Sequence, residues 1–299
     1  MTDPDVVQLG AGEAEARIAL RGAEPVSWRI GGRDLLWSGD PAHWSYHAPI
    51  LFPLVGASKG GVIRIGGKDH PMPQHGFART STFSLASRDE SSATFVLTET
   101  KETLAAYPFR FSLEVTVTLS ATSLRQDFTV TNRGQDIMPY GLGVHPAFPW
   151  PLGGETKDGH RVVFEKPEMR SVPEIAEGGL LARQTRNVPL QDNILPLAPE
   201  LFTEALVFLD AQSHALSFQA PSGEAIKLAV DEFPHLAVWS RPDAPFLSLE
   251  AWSAHADWED ASGKLAERDS MTFLKPGEQA HHRATMSVSP AGGAKAAAK

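Results

Sequence analysis

Ser112-Leu113-Glu114-Val115-Thr116-Val117-Thr118-Leu119-Ser120 alternates without a break. Leu113, Val115, Val117 and Leu119 fall on one side, and Ser112, Glu114, Thr116, Thr118 and Ser120 on the other. Successive side chains of an extended backbone point to opposite faces, so this stretch reads as a half-buried β-strand. A short polar turn follows. Residues 124–132 then alternate again, with Leu124, Phe128 and Val130 on one face. The two runs read as an antiparallel hairpin.

The same rhythm continues in both directions. Residues 214–220 and 225–230 flank the turn Pro221-Ser222-Gly223-Glu224, and residues 235–240 and 246–252 flank Arg241-Pro242-Asp243-Ala244-Pro245. Residues 26–30 and 34–37 lie on either side of Gly31-Gly32, and residues 283–289 read as the last strand. One short helix is predicted over residues 102–107, ahead of Pro108, and the polar stretch 255–269 reads as an irregular loop. The 23 prolines sit mostly between strands, where they end ladders and stiffen turns. Hairpins along the whole chain, with no repeat and no linker between them, predict an all-β fold: one β-sandwich or barrel domain over residues 1–289. Residues 290–299 are low in complexity and read as a flexible tail.

The bulk properties exclude several function classes. The 299 residues are 42% hydrophobic, enough for a sizeable core, and the net charge is −9. Nucleic acid and anionic membranes attract a positive field, so neither is an expected partner. Without cysteine there is no disulfide, thiolate nucleophile or cysteine-type zinc site. The first ten residues lack the basic and apolar regions of a signal peptide, and no apolar run is long enough to span a bilayer. A cytoplasmic protein is the expectation.

Three segments break the strand rhythm. In Pro73-Gln74-His75-Gly76-Phe77-Ala78-Arg79, an imidazole and a forked guanidinium can share one rim and bind hydroxyls or acidic groups; the alternative is a loop His and a surface Arg. In Tyr140-Gly141-Leu142-Gly143-Val144-His145-Pro146-Ala147-Phe148, two glycines permit close approach, and Pro146 keeps His145 extended. His145 is then a candidate acid–base group, or else a satisfied core histidine. In Phe246-Leu247-Ser248-Leu249-Glu250-Ala251-Trp252, alternation places Ser248 and Glu250 opposite Leu247 and Leu249. A carboxylate in so apolar a strand is costly unless paired or used. His75, His145 and Glu250 could in principle ligate zinc, but no spaced His pair supports it. His281 and His282 point to opposite faces of a strand. No nucleophile elbow, phosphate loop or dinucleotide glycine pattern is present.

Taken in order, these segments resemble the aldose 1-epimerase (galactose mutarotase) family, and within it the LacX-like subgroup. Leu35-Leu36-Trp37-Ser38-Gly39-Asp40, Pro49-Ile50-Leu51-Phe52-Pro53-Leu54-Val55-Gly56, Val238-Trp239-Ser240 and Leu249-Glu250-Ala251-Trp252 carry the likeness with the motifs above, over roughly residues 10–288. The resemblance implies a large antiparallel supersandwich and a mutarotase that needs no metal or cofactor. It implies His145 as the acid toward the ring oxygen and Glu250 as the base toward the anomeric hydroxyl. His75 and Arg79 match sugar-binding positions. Glu204 stands where relatives carry Asp, and Ala251 where they carry Pro. Both catalytic pKa values are then expected near neutrality, burial raising Glu250 and a neighbouring carboxylate raising His145. The expected partner is a small aldose, and the expected assembly a monomer or homodimer. The alternatives are a hexose-6-phosphate mutarotase and a non-catalytic sugar-binding module. The first ranks lower because residues 49–56 hold no Arg, with Lys59 the only nearby cation.

Overall fold

The computed structural model describes residues 5–154 and 156–289; the tail expected beyond residue 289 lies outside them. Phe111–Leu119 pairs with Ser123–Asn132 so that Leu119 faces Leu124, Val115 faces Phe128 and Leu113 faces Val130. Leu113, Val115 and Val117 are fully buried. Burying such a side chain contributes about 1.5–3 kcal/mol. A one-residue slip would turn all of them to the other face, which is what fixes the register.

This hairpin lies inside a nine-stranded antiparallel sheet. From edge to edge the order is Ile194–Pro196, Arg161–Phe164, Ala215–Gln219, Ala225–Asp231, Gln279–Ser289, Ser123–Asn132, Phe111–Leu119, Ser92–Thr98 and Ser84–Arg88. A second sheet runs Leu206–Phe208, His235–Trp239, Phe246–Trp252, Gly143–Val144 and Ile50–Leu51, with Ala147–Pro149 also paired to Phe246–Trp252. Leu113, Val115 and Val117 of the first sheet join Leu236, Val238, Leu247 and Leu249 of the second in one continuous apolar cluster. Two sheets sharing a core in this way form a sandwich. Period-two geometry then sends Ser248, Glu250 and Trp252 to the face of the second sheet that looks away from that core.

Among the described residues the one α-helix is Lys101–Ala106, a residue earlier than expected, with Thr100 and Thr103 forming a reciprocal cap. Val6–Ala11, Ala14–Ala19, Glu24–Ile30 and Arg33–Asp34 make a separate four-stranded sheet. The strand expected over residues 34–37 stops at Asp34. Leu35, Leu36 and Trp37 are buried in succession, and the Trp37 N–H donates to Ala147 O at 2.9 Å. Burial on both sides removes the alternation, and the chain crosses here to the second sheet.

Candidate active site

Glu250 projects from the middle of Phe246–Trp252 into a cavity of about 380 Å³. The cavity is lined by all five residues singled out in the sequence: His75, Arg79, His145, Glu204 and Glu250. His145 reaches it because Gly143–Val144 and Ala147–Pro149 both pair with the Glu250 strand. Gly143 is squeezed in this arrangement: a Cβ there would meet Leu51 Cδ1 and Trp252 Cδ1, each at 3.0 Å. The result is a buried pair, His145 Nε2 to Glu250 Oε2 at 3.2 Å. The Trp252 indole N–H donates to the same Oε2 at 3.1 Å. On the far side of the imidazole, Nδ1 lies 2.8 Å from Ser248 Oγ, whose hydroxyl donates to Pro146 O at 2.9 Å.

His75 and Arg79 arrive on a segment clasped to Phe52–Gly56. The N–H groups of Phe77 and Ala78 both donate to Phe52 O, and Gly76 bridges Phe52. Gly76 has φ +70°, and a Cβ on it would collide with the Phe52 carbonyl. His75 takes up a left-handed backbone, φ 67°, and exchanges two bonds with Gly56: its N–H donates to Gly56 O at 2.9 Å, and the Gly56 N–H donates to its Nδ1 at 3.1 Å. The His75 and His145 rings meet edge to face, 5.8 Å between centroids. The Arg79 guanidinium donates to Gln74 O and lies over the Tyr46 ring, 4.9 Å from its centroid.

Turns and loops supply the rest. Trp44 stacks on His145 at 4.8 Å between centroids and meets Trp239 edge-on at 5.6 Å. Arg241 lines the cavity from the turn after His235–Trp239, its guanidinium 6.0 Å from the Trp239 ring. Glu204 is partly engaged: Oε2 accepts from the Ile175 N–H at 3.1 Å and lies 3.9 Å from Arg186 Nε. Among the described residues no group of three His, Asp or Glu side chains is placed to hold a metal ion.

Residues 255–269 are irregular apart from a 3-10 turn at Leu265–Glu267, and their polar groups are not all on the surface. His255, Asp257 and Arg268 are buried. Arg268 donates to Val55 O, His255 O and Ser58 Oγ and pairs with Asp257 at 3.4 Å, while the Lys59 N–H donates to the other Asp257 oxygen. This network ties the Phe52–Gly56 segment, and with it His75, to the loop after Glu250. Removing the cation leaves Asp257 buried and unpaired. Arg268→Met is therefore expected to cost about 3–5 kcal/mol in chemical denaturation; a loss well under 1 kcal/mol would show the pair to be incidental.

The electrostatics correct one expectation. Burial holds the His145 imidazole down, to about pKa 3, with the Arg79 charge adding to the effect. Burial pushes the Glu250 carboxyl well above the usual range, against the opposing Trp252 hydrogen bond. The neighbouring carboxyl does not lift His145, because burial dominates the imidazole and also disfavours the charged form of Glu250. Both shifts favour the uncharged forms, a neutral imidazole and a carboxylic acid sharing one proton, over an imidazolium–carboxylate pair. His75 is likewise held neutral, first by burial and then by His145 and Arg79. The shared proton leaves as pH rises through the Glu250 value, and a second arrives as pH falls toward about 3. If the pair carries turnover, kcat should stay level through the ordinary carboxylate range and fall only above it. A rise in kcat centred near an unperturbed glutamate value, about pH 4.3, would contradict this.

Two stacked antiparallel sheets, with a His–Glu pair at the floor of an aromatic-rimmed polar cavity, define a galactose mutarotase-like all-β protein. The chain belongs to the aldose 1-epimerase family, whose sequence model matches residues 5–287. It is 34% identical over 257 residues to the chromosomal protein LacX of Lactococcus lactis subsp. lactis, covering 82% of this chain and 86% of that one. It superposes on a galactose mutarotase-like protein from Lactobacillus casei with TM-score 0.87 and 28% identity, over 95% of this chain and all of the other. A galactose mutarotase related enzyme from Lactobacillus acidophilus gives TM-score 0.87 at 26% identity, over 96% and 98% of the two chains.

Proposed function

We propose that the protein is an aldose 1-epimerase that interconverts the α and β anomers of a sugar by acid–base ring opening. The observation that carries this reading is the buried His145–Glu250 pair, 3.2 Å apart at the cavity floor. Moving the shared proton from Oε2 to Nε2 turns the resting pair into an imidazolium and a carboxylate without exchange with solvent. Glu250 then takes the proton from O1 as the C1=O bond forms and the C1–O5 bond breaks. His145 gives its proton to O5. Rotation about C1–C2 and the reverse transfers close the ring on the other face. Protons and charge balance over the cycle, and these steps call on no metal or cofactor. His75 and Arg79 donate to sugar oxygens, while Trp44 and Trp239 offer rings to the apolar face of the sugar.

Polarimetry of freshly dissolved α-D-glucose and α-D-galactose tests the proposal. Protein should accelerate the drift in rotation to the same endpoint. Sugar binding without acceleration would favour a non-catalytic module. Arg241 favours a second reading. It is an exposed arginine that lines the cavity, and no carboxylate lies within ion-pairing distance of it among the described residues. It lies far in sequence from residues 49–56. A substituent with negative charge, as in glucose 6-phosphate, is the arm that tests it. A much higher kcat/KM for the phosphate than for glucose would put this reading first.

Glu204 is assigned to hydroxyl binding. Glu204→Gln weakens a contact made alike in ground and transition states, so KM should rise about 3–10-fold, the worth of one ordinary hydrogen bond, with kcat held. A collapse of kcat in this variant, beside a near-normal Glu250→Gln enzyme, would exchange the two roles.

A further inference from the structure

We propose that Ser248 is a positioning residue that fixes the tautomer of His145, holding its proton on Nδ1 and the lone pair of Nε2 toward Glu250. The Ser248 hydroxyl has one proton to give, and Pro146 O, an obligate acceptor, lies 2.9 Å away. With that proton given to Pro146 O, which also accepts from the Leu249 N–H at 3.1 Å, Oγ meets Nδ1 at 2.8 Å as an acceptor, and Nδ1 carries the hydrogen. Nε2 of the neutral ring is then bare and faces Glu250 Oε2. Ser248, His145 and Glu250 are all buried, where a hydrogen bond is worth more than in water.

The arrangement follows from strand geometry. Ser248 and Glu250 are two residues apart on Phe246–Trp252 and therefore share a face. One strand brackets the imidazole, with the hydroxyl at one nitrogen and the carboxyl at the other. Without the hydroxyl, the neutral ring is free to carry its proton on Nε2, where it opposes the proton of Glu250. His75 is held in the opposite sense: the Gly56 N–H occupies its Nδ1, leaving Nε2–H as a donor. The two rings in one cavity thus carry complementary roles, one fixed as a donor and one poised to exchange a proton. The inference rests on the His145–Glu250 reading above, but its test does not need turnover.

The test is nitrogen-15 NMR of histidine-labelled protein without sugar, with His145 assigned by the signal missing in His145→Asn. The expected wild-type pattern is protonated Nδ1 and bare Nε2 for His145, and the reverse for His75. Ser248→Ala should show mixed or Nε2-protonated His145 and a kcat lowered about 10–100-fold, the usual scale for an outer hydrogen-bond partner, with KM little changed. Ser248→Thr, which keeps the hydroxyl, should recover both the pattern and most of kcat. An Nε2–H tautomer in the wild-type protein would overturn the inference, even if no variant folds. A Ser248→Ala protein with wild-type NMR pattern and kcat would overturn it as well. Mutarotation absent beside the expected tautomer would sink the proposed function and leave the lock standing.

Discussion

Replacing Glu250 by Gln is expected to lower kcat by about 10²–10⁴-fold, the usual worth of a general base. The amide keeps the volume of the side chain but cannot take a proton from O1. KM should move little, because basicity is used only as the transition state forms. The substitution also has a structural cost that the geometry makes specific. Oε2 sits 3.2 Å from His145 Nε2 and 3.1 Å from the Trp252 N–H. The hydroxyl of a carboxylic acid donates to the first and accepts from the second; neither end of an amide does both. One buried bond is lost, worth about 1–3 kcal/mol. Stability and kcat should therefore be read on the same preparation. Because the folded pKa of Glu250 is raised, its contribution to stability is complete below the unfolded value of about 4.3 and is lost as pH rises through the folded value. The stability lead of wild type over the variant should shrink in that direction.

His145→Asn is expected to match that loss in kcat, and the double variant Glu250→Gln/His145→Asn should be far less impaired than the product of the singles. Once either group is gone, the other has no partner from which to receive or to which to send the shared proton, so removing it costs little more. Residues that act as a unit behave non-additively for this reason. Initial rates for the wild type, two singles and double complete the cycle. Losses that multiply would mean that acid and base act independently, and would contradict a pair joined through one proton.

The sandwich was legible where its strands are half-buried: alternation in residues 112–120 reports directly on which side faces the core. In residues 246–252 both faces are buried, and residue polarity, Ser248 and Glu250 against Leu247 and Leu249, is what separates the cavity face from the core face. Alternation failed at Leu35–Trp37, where burial on both sides leaves no period to read. His75, Arg79, His145 and Glu250 stood out as candidates where segments break the strand rhythm and took their roles from the family resemblance, which alone supplied Glu204; all five line one cavity. Trp44, Tyr46 and Arg241 were missed because they come from turns, where no periodicity points inward; the aromatic pair in Trp44-Ser45-Tyr46 was the available signal. Arg268 and Asp257 look like surface charges in a polar loop. Only contacts such as Arg268 with Ser58, 210 positions away, reveal them as buried. The direction of the His145 shift was misjudged for a related reason. A neighbouring carboxylate raises an imidazole only while that carboxylate is charged, and depth of burial is not written in a sequence.

The central claim is that the His145–Glu250 pair opens and recloses a sugar ring. Proton exchange spectroscopy on anomerically equilibrated galactose tests it most directly, since the anomeric protons of the two forms are resolved and no net reaction occurs. Wild-type protein at catalytic concentration should produce cross-peaks between the α and β signals under conditions where sugar alone gives none. Glu250→Gln, folded by circular dichroism, should lose them. Absent cross-peaks with wild type, for free aldoses and their 6-phosphates alike, or undiminished exchange in Glu250→Gln, would contradict the account.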